Sequence, residues 1–218
     1  MEHGKFLKDI SASTVQIGVT QVVNLIVFYL ISKYISKEDF GFYNWSVALI
    51  STLIAILSFG MDLVYLKRVA LNYKRKETIS LHFFHSLFSG IVLSTIAFIV
   101  CFVFPDLLSA NHLFLLILIN QVCFNVTNSI KLCLNGYEKF NYLALIALIA
   151  NGIKILLIVL LLVINKFNIE FIIYAFILNY VMEFCVSYYL VHKTTNYIIR
   201  PQLNVKEYKA IIVESLPQ

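Results

Sequence analysis

The chain has 218 residues, 60% of them hydrophobic and 13% charged. A mean hydropathy of +0.84 excludes an ordinary water-soluble domain, and the length leaves little room beyond one helical bundle. The net charge of +5 does not point to nucleic acid, because most basic residues sit at the ends of apolar runs and in the breaks between them rather than on one polar face.

Six apolar runs fill almost the whole chain, at residues 14–36, 43–68, 80–104, 112–134, 142–165 and 170–191. Each is close to the about 20 residues that a bilayer core asks of a spanning helix. Lipid offers backbone amides no partner, so a span must be a helix or part of a closed barrel. Barrel strands alternate in polarity over about 10 residues. These runs are longer and continuously apolar, which predicts an all-α polytopic membrane protein, a bundle of six transmembrane helices.

The first run carries Ser13, Gln16, Thr20 and Asn24 at steps of three and four, with Gln21 beside them. It is too long and too interrupted for a cleaved signal peptide, and no small-residue cleavage site closes it. A short break at 37–42 holds Glu38-Asp39, which reads as helix-edge charge. The sequon Asn44-Trp45-Ser46 lies too near the membrane edge to carry weight. In the second run, Asp62 follows Phe59-Gly60 and approaches Lys67-Arg68, which predicts a helix-end ion pair.

A basic segment at 71–79 precedes the third run, where His82 and His85 share a face. With no carboxylate or cysteine close by on that face, they read as interfacial histidines rather than a metal site. Pro105-Asp106 marks a helix stop, since proline cannot extend a helix. The fourth run carries Gln121, Asn125, Asn128 and then Lys131 or Asn135 on one stripe. A tight turn at 136–141 leads to the fifth, with Ala147, Asn151 and Lys154. The sixth carries Asn179, Glu183 and Ser187 at steps of four.

After the sixth run, residues 194–209 read as a linker containing Pro201. Residues 210–218 then read as the start of a seventh span that does not finish, which predicts a fragment of a longer transporter or a truncated gene product. Cys101, Cys123, Cys133 and Cys185 all fall in apolar runs without C-x-x-C spacing, and read as small core residues.

The basic residues set the orientation. Lys5 and Lys8 precede the first run. Lys67 and Arg68 end the second and Lys74, Arg75 and Lys76 follow it, Lys131 and Lys139 flank the turn after the fourth, and Lys193, Arg200, Lys206 and Lys209 follow the sixth. The opposite ends and breaks hold only Lys33, Lys37 and Lys166. Cytoplasmic loops carry the excess of lysine and arginine, which predicts both termini in the cytoplasm. No glycine-rich phosphate loop, nucleophile elbow or sizeable acidic outer loop appears, so the chain reads as no enzyme and implies no cofactor or metal.

Polar residues in hydrocarbon usually face the bundle interior or a wet cavity. One such stripe is readily explained as contact between helices. Four of them, with ionisable members, predict a shared polar cavity. Lys154 is the sharpest residue, about 12 residues, or ~18 Å, from either end of its span. Burying it there costs at least about 2.5–3.5 kcal/mol on insertion scales. Glu183 is expected at similar depth, so two readings stand: a structural Lys154–Glu183 ion pair, or a cationic centre that meets an anionic substrate.

Two stretches carry a family resemblance: Tyr34-Ile35-Ser36-Lys37-Glu38-Asp39-Phe40-Gly41-Phe42-Tyr43, and Ser58-Phe59-Gly60-Met61-Asp62 through Lys67-Arg68-Val69-Ala70. They resemble the opening of bacterial oligosaccharide and polysaccharide flippases of the MATE-like exporter superfamily. Leu134-Asn135-Gly136-Tyr137-Glu138-Lys139-Phe140-Asn141-Tyr142 is similar to the turn after the fourth helix of that family, and Glu214-Ser215-Leu216-Pro217 to the start of its seventh.

The resemblance implies one lobe, the N-terminal half, of a two-lobe transporter in the bacterial cytoplasmic membrane. It implies alternating access and a partner lobe in cis. The implied cargo is a lipid-linked oligosaccharide for surface polysaccharide, O-antigen or capsule, on an anionic polyprenyl pyrophosphate. Ion-coupled drug exporters of the superfamily commonly carry an acidic residue in the first helix, where this chain has Gln21 and Asn24. A drug or small-molecule antiporter and a non-transporting membrane subunit are the competing readings. The substrate-binding residues expected from the stripes are Lys154, Asn151, Asn24, Gln21, Asn125, Asn128 and Glu183.

Overall fold

The structure, a computed structural model, describes residues 2–103 and 111–215. The predicted stop at Pro105-Asp106 and the last residues, 216–218, lie outside the described residues. The described residues form helices only: α1 (Glu2–Tyr34), α2 (Lys37–Leu57), α3 (Met61–Ala70), α4 (Arg75–Val103), α5 (Asn111–Gly136), α6 (Phe140–Val163), α7 (Ile169–Thr195) and α8 (Val205–Ser215). Six of them, α1, α2 and α4 to α7, are long and apolar enough to cross a bilayer. The all-α, multi-pass architecture expected from the six runs is the architecture found.

Local chemistry places the helix ends. Ser36 opens α2: its hydroxyl accepts from the Asp39 amide at 3.1 Å and donates to the Asp39 carboxylate at 2.7 Å. Asn168 opens α7 by accepting from the Phe171 amide at 2.9 Å. Such caps satisfy amides that a helix start leaves without partners. Asn196 closes α7 in a left-handed conformation at φ 50°.

Two expectations need correction. The run at 43–68 is not one span, because α2 ends at Leu57 and the chain turns through Phe59 and Gly60, at φ 49° and 70°. Beyond the turn, Asp62, Lys67 and Arg68 make α3 a short amphipathic helix rather than a continuation into lipid. The segment 194–209 is not wholly a linker either. α7 runs to Thr195, and α8 starts at Val205 and lies against α3.

α5 is the central post, packed on α2, α3, α4 and α7, while α6 joins α1 to α7. Two glycines set close approaches. A Cβ on Gly90 of α4 would come within 2.7 Å of the Val122 side chain on α5, and one on Gly136 of α5 within 2.6 Å of Val69 on α3. One apolar core, around Tyr65, Val69, Ile130, Leu134, Ile146 and Val191, ties together the helix ends predicted to be cytoplasmic. A second, around Ile50, Leu93, Ile117 and Ile173, packs the opposite half. Large apolar side chains such as Leu25, Phe102 and Val163 face outward, as lipid-facing positions should.

Cys101 and Cys133 are buried in these cores as expected, but Cys185 is exposed on α7, so the expectation of four core cysteines is corrected to two buried, with Cys123 half-buried.

Candidate functional site

Between α1, α2, α5, α6 and α7 lies a cavity of about 700 Å³. Each wall comes from the stripe periodicity of its helix, since residues three or four apart share a face. α1 contributes Gln16, Thr20 and Asn24; α5 contributes Gln121, Phe124, Asn128 and Lys131; α6 contributes Ala147, Asn151 and Lys154; α7 contributes Phe176, Asn179, Tyr180 and Glu183. Tyr43, Asn44 and Ser51 complete it from α2.

Lys154 is half-buried on the cavity wall. Its ammonium donates to Asn24 Oδ1 at 3.2 Å and lies 5.6 Å from the centre of the Phe176 ring. Nearby, Asn151 Nδ2 donates to Thr20 Oγ1 at 3.1 Å and to the Ala147 carbonyl at 2.8 Å, joining α6 to α1. The opposite wall is held by Thr127, whose hydroxyl is 3.2 Å from the Tyr180 carbonyl.

The expected Lys154–Glu183 pair is not formed. Glu183 accepts instead from Lys131 Nζ at 2.8 Å, with side chains 9% and 21% exposed. Residue counting from helix ends gave depth correctly enough, but rotation about the helix axis decides which partner a side chain meets. Of the two candidates for the end of the fourth stripe, Lys131 and Asn135, it is Lys131 that lines the cavity.

Five of the seven expected site residues, Lys154, Asn151, Asn24, Asn128 and Glu183, line one cavity. Gln21 and Asn125 are not among its lining residues. Gln21 is exposed, one residue past the Thr20 wall and so rotated by about 100° from it. Asn125 is half-buried, one residue past Phe124. The aromatic lining from Phe124, Phe176, Tyr43 and Tyr180 carried no signal that separates it from ordinary core.

A second polar cluster joins α3, α4 and α8. Asp62 contacts His82 Nε2 at 2.8 Å rather than Lys67 or Arg68, which corrects both the expected pair and the expected lack of a carboxylate near His82. That hydrogen bond holds the Asp62 carboxyl below its usual range. Arg68, buried, pairs with Glu214 at 2.7 Å and Glu207 at 3.5 Å, and Lys74 also pairs with Glu207. His85 Nδ1 lies 2.8 Å from the Tyr208 hydroxyl.

A crystal structure of a MATE in complex with Br-NRF matches with a TM-score of 0.70 and 19% identity, covering 97% of this chain and 52% of that one. The likeness at that identity is one of fold, and the chain spans about half the length of that protein. Residues 6–218 match the family of polysaccharide biosynthesis proteins, and the chain belongs to that family. No curated protein matches the sequence.

Proposed function

We propose that this chain is one lobe of an exporter that flips a lipid-linked oligosaccharide across the bacterial cytoplasmic membrane for surface polysaccharide synthesis. The observation that carries the reading is the position of Lys154, deep in a spanning helix yet on the wall of an open polar chamber rather than in dry packing. An ammonium at that depth is costly unless an anion or polar partner meets it, and a polyprenyl pyrophosphate supplies the anion. Amides at Asn24, Gln121, Asn128, Asn151 and Asn179 offer hydrogen bonds to sugar hydroxyls, and the aromatic rings offer stacking faces.

A second lobe in cis would close the open side and let the chamber face the two membrane surfaces in turn. Deleting the encoding gene should abolish surface glycan while its lipid-linked precursor accumulates inside the cell. Unchanged surface glycan in the deletion strain contradicts the reading. The lysines also disfavour a cationic drug as cargo, so cells expressing the protein should export cationic dyes no faster than cells without it.

A further inference from the structure

Charge balance in the chamber gives Glu183 a role beyond holding Lys131. Among the described lining residues, the charges are the ammoniums of Lys131 and Lys154 and the carboxylate of Glu183. The empty chamber therefore carries one net positive charge. A diphosphate diester brings two negative charges, so the ionised chamber cannot balance it. Lys131, the only basic group bonded to Glu183 among the described residues, is already occupied by that carboxylate at 2.8 Å.

We propose that the diphosphate of the ligand displaces Glu183 from Lys131 and that the freed carboxylate takes up one proton from the water of the open chamber. This rests on the anionic-cargo reading above and names the regulation of that same site. The Lys131 ammonium passes from carboxylate to phosphate oxygen, and the proton becomes the carboxylic O–H of Glu183. Both lysines then face two phosphate charges with no competing anion. The physical cause is plain: a carboxylate separated from its cation, nine-tenths buried and facing a dianion, is unstable in its charged form.

The groups facing Glu183 leave few other candidates for the proton. α5 brings Lys131, α6 brings Lys154, α7 itself brings Tyr180 one turn away, and α2 brings Tyr43 across the chamber. Each lysine already donates, Lys131 to Glu183 and Lys154 to Asn24, and both tyrosines keep their phenolic protons near neutral pH. α1 contributes only Gln16, Thr20 and Asn24 as polar groups. One turn from Glu183 on the same stripe, buried Asn179 has an Oδ1 with no hydrogen-bond partner, an acceptor left free in the chamber wall.

The test uses the full chain in lipid nanodiscs and a short prenyl diphosphoryl N-acetylglucosamine, a diester whose two charges do not titrate near neutral pH. Isothermal titration calorimetry in two buffers of different ionisation enthalpy counts the protons taken up on binding. In the wild type, uptake should approach one, and affinity should strengthen by up to about tenfold per unit fall in pH over the window where Glu183 gains its proton.

Glu183→Gln should bind about tenfold more tightly at the alkaline end, with no proton uptake and a flat pH profile. Lys154→Met should weaken binding at every pH while keeping the slope. A Glu183→Gln variant that retains the wild-type proton count overturns the inference and leaves the anionic-cargo reading standing. Absence of diester binding at every pH, in wild type and in Glu183→Gln alike with circular dichroism unchanged, overturns that reading and the inference with it.

Discussion

At the scale of single residues, the chamber is a problem in placing charge where water is scarce. Lys131 and Glu183 are each mostly buried, and a buried ion pair contributes little net stability against apolar replacements. Removing one partner, however, strands the other. Glu183→Ala should therefore destabilise the protein by up to about 3–5 kcal/mol. The double variant Lys131→Met with Glu183→Met should recover most of that loss in a thermal unfolding assay. If the double variant is as unstable as Glu183→Ala, the pair is not what the single change disrupts.

Lys154 was legible from the sequence alone, because a lysine amid unbroken apolar residues stands out. Its partner was not, since Asn24 sits 130 positions away on a helix whose rotation no local pattern fixes. Gln21 lies off the cavity wall for a simpler reason. A polar residue adjacent in sequence to a stripe still lies about 100° around the helix from it.

At the scale of elements, the α3 and α8 clasp and the glycine contacts carry the tests. Gly136→Ala would drive a methyl group against Val69, and overpacking of this kind typically costs about 1–3 kcal/mol. Trimming the neighbour in the pair Gly136→Ala with Val69→Ala should restore part of the stability, and no restoration in the unfolding assay would separate the glycine from that contact. The Asp62 carboxyl has a folded-state value below its unfolded one. Its contribution is therefore complete above the unfolded value, near 3.9 for aspartate, and is lost as pH falls through the lower folded value. Protection of the α3 amides from hydrogen exchange, taken relative to their intrinsic rate at each pH, should fall on acidification through that window. Asp62→Asn should flatten this dependence, and an unchanged acid limb would assign it to another group.

Apolar run length showed the six spans but hid the break after Leu57. Phe59-Gly60 is only two residues of turn, and the charges that end lipid exposure come after it. The helical character of residues 205–209 was masked by alternating charge and by the nearby Pro201. Both features depend on α3 and α8 finding each other, a tertiary event that no window along the chain records.

For the whole molecule, the lobe joins two chemistries that one bilayer normally separates. The outward faces are apolar, while α1, α2, α5, α6 and α7 turn amides, aromatic rings, two lysines and a carboxylate toward a common space. The fold class and the spans followed from composition and periodicity, and the existence of a shared polar chamber from the alignment of four stripes. Its shape and its charge pairing did not, because they arise from helix rotation and crossing rather than from sequence spacing. The central claim is that the mid-membrane ammonium of Lys154 meets the anionic end of an exported lipid-linked glycan. It is tested most directly by replacing Lys154 with Ala in the chromosomal gene, checking that the protein reaches the membrane at normal abundance, and measuring surface glycan together with its intracellular lipid-linked precursor. The account predicts that surface glycan is lost and precursor accumulates; normal surface glycan at normal protein abundance would contradict it.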